Sequence, residues 1–224
     1  MIGTFANVGA IVAGSLIGGL FRKAMNEKLS SGLMNVMGLA AFGLGINAVV
    51  QNMPKSRYPV LFIVSLAIGC LVGTLLDLDG RVSALTNRDE ESGNLGQGIL
   101  TGCLIFCIGT LSILGPVQSA LYGDHTYLFT NASLDFVTSM VLGTTYGIGM
   151  ALAAIVLFLW QGSIYLLTML LGGFISETMM TEISIVGGFL IAMSGLSIMK
   201  VKDFHTLNYL PALFVPVIWC LVMA

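Results

Sequence analysis

Residues 134–174 read LDFVTSMVLGTTYGIGMALAAIVLFLWQGSIYLLTMLLGGF and carry a single charged side chain, that of Asp135. A helix of about 20 apolar residues is long enough to cross the hydrocarbon core of a bilayer. This run is therefore about twice too long for one crossing. We divide it near residues 147–150, where glycines cluster, into a short helical span and a longer one that follows it.

Apolar runs elsewhere in the chain predict six further spans. They lie at 2–21, 32–50, 58–76, 98–121, 183–199 and 207–224, so that the divided run supplies the fifth and sixth of eight. The chain is 56% hydrophobic and 9% charged, whereas a soluble domain has about 25% charged residues. We therefore predict an all-α, polytopic transmembrane helical bundle of about eight spans, which forms one domain over residues 1–224 in a lipid bilayer.

The basic residues indicate how the spans are oriented. With eight spans, seven of the nine Lys and Arg residues fall on one side of the membrane, and only Lys55 and Arg57 fall on the other. With seven spans, the division would be five against four. The positive-inside rule therefore favours eight spans with both termini on the extracytoplasmic side, in a bacterial inner membrane. Arg22 and Lys23 follow the first span, which favours a retained span over a cleaved signal peptide.

Several classes of protein are disfavoured by the sequence. A net charge of −2 and the lack of a basic run disfavour nucleic acid as a partner. The sequence contains neither an HExxH motif nor a phosphate-binding GxxxxGK[ST] motif, and we expect no enzymatic activity and no cofactor. All four cysteines lie in apolar runs, and no disulfide is expected. Cys103 and Cys107 share a helix face, where packing is a better explanation than a metal site.

Small residues recur at four-residue spacing along several predicted spans. One stripe contains Gly14 and Gly18, and others are formed by Ser65, Gly69 and Gly73 and by Ser184, Gly188 and Ala192. Such stripes allow helix backbones to approach closely within a membrane. The partner could be another helix of the same chain or, through Gly14 and Gly18, a second copy in a homodimer. The pattern alone does not distinguish the two.

The two ends of the chain resemble each other at an offset of 150 residues. Gly38 aligns with Gly188 and Gly45 with Gly195, and the run from Pro59 aligns with the run from Pro211 after a two-residue gap. These matches predict repeat units at 1–77 and 151–224, joined by 78–150. Five spans separate the starts of the two units, so the second unit would be inverted. Inverted repeats are typical of secondary transporters.

Polar side chains within the apolar runs are the candidate binding residues, because unpaired polar groups are costly in lipid. The candidates are Asn35, Gln118, Asp135, Ser139, Gln161 and Ser163. Gly115 and Pro116 are expected to break the fourth helix, since proline has no N–H to donate. The break could open a polar cavity, or it could be an ordinary proline kink whose backbone groups are satisfied by neighbouring helices. Asp135 lies at the predicted start of the fifth span. Its carboxylate could stabilise the positive end of the helix dipole, or it could bind a proton or a cation.

Three segments together resemble the YqgA/YdfK-like family of bacterial inner-membrane proteins, a family defined by a domain of unknown function. They are GTFANVGAIVAGSLIGGLF from Gly3, FCIGTLSILGPVQSALYGD from Phe106, and the stretch from NASLDFVTSMVLGTTYGIG to WQGSIYLL. The resemblance covers essentially the whole chain and implies an integral membrane protein with a candidate role in transport. The family motif falls on Gly109, Gly115, Gln118, Gly123, Asp124, Asp135, Gln161, Gly162 and Ser163.

The chain departs from this family at one position that bears on mechanism. The family often has an acidic residue after the motif glutamine, whereas Gln118 is followed here by Ser119. If that acidic residue takes part in ion coupling, its absence argues against an ion-coupled mechanism in this chain.

Three functions fit these features. The first is a transporter of a small solute or ion that is not driven by ATP, with its site formed by spans four to six. The second is a channel, which would need a continuous wet path. The third is a membrane scaffold that docks a partner through its glycine stripes.

Overall fold

The structure, a computed structural model, describes residues 1–20, 27–87, 99, 102–103, 105–107, 109–172 and 176–223. This part of the chain is helical and contains no strand, which confirms the predicted all-α bundle. The α-helices are α1 (Ile2–Leu20), α2 (Glu27–Asn52), α3 (Leu61–Leu75), α4 (Leu78–Asn87), α5 (Thr110–Tyr122), α6 (Thr126–Tyr146), α7 (Ala153–Leu171), α8 (Glu177–Ile198) and α9 (Phe214–Met223). Short 3₁₀ segments at Met53–Lys55, Ile148–Leu152 and Thr206–Leu213 connect some of them.

Within the described residues, five helical segments are long and apolar enough to cross a membrane. They are Ile2–Leu20, Ser31–Lys55, Ile148–Leu171, Glu177–Ile198 and Thr206–Met223, and each overlaps a predicted span. The third predicted span is the shorter helix α3, of 15 residues. Part of the predicted span 98–121 lies outside the described residues, as do Arg22, Lys23 and the whole segment 88–98, which includes Arg88. The count of eight spans stays a prediction.

The predicted fifth span begins too late. The sequence was expected to become helical near Leu134, whereas α6 begins at Thr126 and contains 21 residues. Asp124 stabilises the turn that leads into this earlier start, because its Oδ1 accepts hydrogen bonds from the backbone N–H and the hydroxyl of Thr126, at 2.9 and 2.7 Å. The end of α6 agrees with the predicted division, since Gly147 has φ +84° and the 3₁₀ segment follows it. A helix of this length spans about 30 Å.

The predicted break at Gly115 and Pro116 is wrong. Helix α5 runs through Pro116 without interruption and starts after Gly109, whose backbone is extended (φ −64°, ψ 145°). A Cβ atom on Gly115 would lie 2.8 Å from Leu128 Cδ2, so close packing against α6 holds the helix in place here. The proline therefore removes one hydrogen-bond donor without ending the helix.

The described chain divides into two compact units. The first contains residues 1–37 and 82–170, and the second contains residues 38–81 and 171–224. Each unit therefore takes helices from both of the predicted repeat units. In the first unit, α1 and α6 lie side by side and run in the same direction. The contacts show this order along both helices: Gly3 packs against Leu128, Gly14 against Ser139, and Gly18 against Met140.

The Gly14–Gly18 face is therefore occupied within the chain. Both glycines are buried against the backbone of α6, as expected when small residues allow two helices to approach closely. Of the two alternatives that the sequence left open, the internal contact is the observed one. This face is not free to form a homodimer.

In the second unit, α2 and α8 cross in opposite directions through two pairs of glycines. A Cβ atom on Gly38 would lie 2.8 Å from the Gly195 carbonyl oxygen, and one on Gly195 would lie 2.6 Å from the Gly38 carbonyl oxygen. Gly45 and Gly188 have the same reciprocal relation, at 2.5 and 2.8 Å. Helix α3 packs in a similar way against the segment Thr206–Leu213, with Gly69 against Ala212.

His205, which precedes that segment, is expected to make the stability of the second unit depend on pH. Its Nδ1 lies 2.9 Å from Asp79 Oδ2, and this hydrogen bond, together with the nearby charge of Asp203, raises the histidine pKa above its ordinary value of 6.5. A raised pKa stabilises the folded protein fully below pH 6.5, and the stabilisation is lost as the pH rises through the folded-state pKa. We expect the melting temperature of purified protein to fall as the pH rises from 6.5 through the folded-state pKa of His205. The fall should be smaller in His205→Gln. An unchanged pH profile in His205→Gln would show that this pair contributes nothing.

Candidate functional site

The first unit contains a set of buried polar atoms that have no hydrogen-bond partner among the described residues. In the described part of the chain, all such side-chain atoms belong to this unit. They are Thr4 Oγ1, both amide atoms of Asn7, Ser15 Oγ, Thr110 Oγ1 and Gln161 Oε1, on helices α1, α5 and α7. Unpaired polar groups are costly in an apolar interior, and most buried polar groups in native proteins are satisfied. Their concentration in one unit makes its interior the candidate site.

Asp135 lies in this interior. It is the tenth of the 21 residues of α6, and its side chain is only 5% exposed. Its Oδ2 accepts a hydrogen bond of 2.9 Å from Asn131 Nδ2, one helical turn earlier. Asn7 of α1 also interacts with this carboxyl group, although neither of its amide atoms meets hydrogen-bond geometry.

The position of Asp135 corrects one of its two predicted roles. The helix dipole acts on side chains in the first turn of a helix, and Asp135 is too far along α6 to be stabilised by it. The alternative, that it binds a proton or a cation, stays a prediction.

No opposite charge is available from the helices around Asp135. Helices α1, α5, α6 and α7 contain, apart from Asp135 itself, no Asp, Glu, Lys, Arg or His. These four helices therefore offer the carboxyl group amides, hydroxyls and apolar side chains, but no positive charge. A buried carboxylate without a counter-charge is strongly disfavoured unless it takes up a proton or a cation.

Gln161 connects two of these helices. It is fully buried on α7, and its Nε2 donates a hydrogen bond of 3.1 Å to Ser112 Oγ on α5. In the part of the chain that the structure describes, its Oε1 accepts no hydrogen bond, and Thr110 Oγ1, two residues before Ser112, has no partner either. A glutamine amide can bind a polar solute through its free oxygen.

The remaining predicted site residues have different surroundings. Ser139 is buried and donates to the Phe136 carbonyl, under Gly14 at the contact between α1 and α6. Ser163 is exposed and donates to the Trp160 carbonyl, and Asn35 is exposed on α2. Gln118 is half-buried on α5.

The sequence reasoning missed several buried polar residues, two of which bear on buried carboxyl groups. Asn131 was missed because the helix was expected to start after it, although its i, i+4 spacing from Asp135 is a detectable signal. Glu182 of the second unit was placed outside the seventh span, whereas α8 begins at Glu177 and Glu182 is 1% exposed. Its Oε1 accepts hydrogen bonds from Ser56 Oγ and the Tyr58 N–H, at 2.7 and 3.1 Å.

Cys103 and Cys107 are packed among apolar side chains. Cys107 lies in the apolar core of the first unit with Ile11, Phe106 and Leu157, and Cys103 packs against this core. Across the described ranges, no three His, Cys, Asp or Glu side chains are grouped closely enough to hold a metal ion.

We expect Gln161→Leu to leave the protein folded. The substitution removes an unpaired acceptor together with one neutral hydrogen bond, so the free energy of unfolding should change by less than about 1 kcal/mol. Asn131→Leu should lower it by about 2 kcal/mol, because the buried Asp135 carboxyl group loses its donor. Thermal unfolding of the purified variants measures both. Equal losses in the two variants would show that Gln161 is a structural residue.

Comparisons with known proteins identify the relatives of this chain. The family described as "Protein of unknown function (DUF554)" matches residues 2–221. An "Uncharacterized membrane protein YdfK" from Bacillus subtilis (strain 168) is 53% identical over 216 residues, which cover 96% of this chain and 94% of the relative. An "Uncharacterized protein YqgA" from Escherichia coli (strain K12) is 27% identical over 223 residues, with 95% and 93% covered. No solved structure gives a significant match.

Proposed function

The chain belongs to the DUF554 family, and from this premise we propose that it is a transporter of a small solute or ion, is not driven by ATP and has no enzymatic activity. Its binding site is the polar interior of the first unit, between helices α1, α5, α6 and α7. The observation that carries the proposal is the burial of Asp135 in the middle of α6 among amides, with no opposite charge on these four helices. Ionisable groups within membrane spans are rare and commonly functional.

The reciprocal glycine contacts of the second unit support an inverted repeat. The 150-residue offset relates Gly38 to Gly188 and Gly45 to Gly195. Gly38 contacts Gly195 in the structure. If each of these residues is replaced by its counterpart in the other repeat, the result is a contact between Gly188 and Gly45, which is also observed. A two-fold axis between antiparallel α2 and α8 would produce this reciprocity. Rocking of repeats about such an axis gives alternating access in secondary transporters.

We place the protein in the bacterial inner membrane with both termini outside, because the basic residues then concentrate on the cytoplasmic side.

The scaffold hypothesis is weakened by the packing of the glycine stripes within the chain, which leaves these faces unavailable to a docking partner. The channel hypothesis has no specific support from the contacts of the first unit.

A ligand screen tests the proposed site. Thermal unfolding of detergent-solubilised protein would be followed against amino acids, polyamines, organic acids and inorganic ions. A ligand of the folded state should raise the melting temperature as its concentration rises. The shift should be lost in Gln161→Leu and retained in Ser163→Ala, whose exposed hydroxyl is on the same helix. A shift that survives in Gln161→Leu would exclude this glutamine from the site.

A further inference from the structure

We propose that Asp135 is a proton-binding site whose protonated and ionised forms are both satisfied by the amide of Asn7. The inference rests on the proposed transport function and deepens it by naming the proton as the coupling ion. It assigns the coupling to Asp135 and not to the position after Gln118, where this chain has Ser119 in place of an acidic residue. A proton from water on one side of the membrane would form an O–H bond on the Asp135 carboxylate, and the carboxylate would return it to water on the other side.

The surroundings of the carboxyl group favour a neutral form. Helices α1, α5 and α7 contain no charged residue and no histidine, and Asp135 is the only such residue in α6. The Cys107 thiol, which precedes α5 in the chain, is a titratable neighbour of Asp135, and a thiol carries no positive charge. A proton removes the cost of a buried, unpaired carboxylate without any other bound ion.

The hydrogen-bonding atoms around Asp135 match this role. Asn131 Nδ2 donates to Oδ2 in either protonation state, because a carboxylic acid keeps an acceptor oxygen. The ionised form would accept a second hydrogen bond from a donor, and the protonated form would donate one to an acceptor. The Asn7 amide offers both, Nδ2 as donor and Oδ1 as acceptor, and both atoms are buried and have no other partner.

Asn7 would therefore change its orientation with the protonation of Asp135. Rotation of its amide plane exchanges the nitrogen and the oxygen that face the carboxyl group, and no other hydrogen bond has to break. A purely structural asparagine would have partners of its own. The absence of partners on both amide atoms makes Asn7 a positioning residue for the proton on Asp135.

Infrared difference spectroscopy tests the proposal without any transport assay. Folded protein in lipid nanodiscs, in a sodium-free buffer at neutral pH, should show the C=O stretch of a protonated carboxylic acid. The wild-type spectrum minus that of Asp135→Asn should contain this band. In Asn7→Leu the band should move to higher frequency, because the acid loses its hydrogen-bond acceptor. The matched control Asn35→Leu, at an exposed asparagine of α2, should leave the band unchanged.

Three outcomes would overturn the proposal. The first is a wild-type minus Asp135→Asn spectrum without the band, and the second is a band that does not move in Asn7→Leu. The third is loss of the band when sodium chloride replaces choline chloride, which would identify a metal cation as the occupant. Glu182→Gln identifies any band that comes from Glu182, the second buried carboxyl group among the described residues. A protonated Asp135 in a protein without solute flux would contradict the transport function but not the proton site.

Discussion

Gly18→Val is expected to lower the thermal stability of the protein sharply, whereas Gly9→Val in the same helix is not. A Cβ atom on Gly18 would overlap the backbone carbonyl of Met140 on α6, which cannot move aside as a flexible side chain can. A Cβ atom on Gly9 would meet nothing within 4 Å. Overpacking of a well-packed contact costs about 1–3 kcal/mol, and the clash with backbone places Gly18→Val at the upper end.

The comparison isolates the packing of α1 against α6. Both substitutions replace glycine by valine in α1, so the change in helix propensity is the same. Melting temperatures of the purified variants, measured in one detergent, give the difference directly. Equal losses of stability at the two positions would mean that α1 does not pack on α6 through this face.

Glu182→Ala is expected to have the second large effect. The Glu182 carboxylate holds the connection between α2 and α3 against α8 by accepting hydrogen bonds from the Ser56 hydroxyl and the Tyr58 N–H. Alanine leaves both donors without this acceptor, and hydrogen bonds to charged groups contribute about 1.5–3 kcal/mol each. We expect a loss of about 3 kcal/mol in the free energy of unfolding.

Two further variants serve as controls for Glu182. Glu182→Gln keeps an acceptor oxygen in place and should lose less stability than Glu182→Ala. Glu177→Ala removes an exposed carboxylate from the first turn of the same helix and should cost about 0.5 kcal/mol. If Glu177→Ala and Glu182→Ala lowered the free energy of unfolding by the same amount, the buried hydrogen bonds of Glu182 would not contribute to stability.

Hydropathy predicted the membrane-spanning character of the chain well and the helix starts less well. The apolar runs identify the spans because lipid requires continuous apolar helices. Helices α6 and α8 begin earlier than predicted, at Thr126 and Glu177, because polar residues at their starts resemble loops. Local hydrogen bonds support these starts: the Thr126 N–H donates to Asp124 Oδ1, and the Met179 N–H donates to Ser176 Oγ.

The partners of the glycine stripes and of the buried polar residues could not be read from the sequence. Four-residue spacing shows that a helix has a smooth face, but it does not name the helix that packs there. Gly14 and Gly18 thus fitted a homodimer as well as the observed contact with α6. In the same way, Gln161 was predicted to need a polar neighbour, and only the packing of α5 beside α7 identifies Ser112.

Counterflow in proteoliposomes is the most direct test of transport. Liposomes loaded with the unlabelled solute that stabilises the protein would be diluted into the labelled solute. We predict saturable uptake against the label gradient, reduced about tenfold or more in Gln161→Leu, which corresponds to a loss of about 1.4 kcal/mol. Ser163→Ala should retain the wild-type rate. Flux that does not saturate and appears as unitary conductance, or no flux through folded protein, would contradict the proposed transporter.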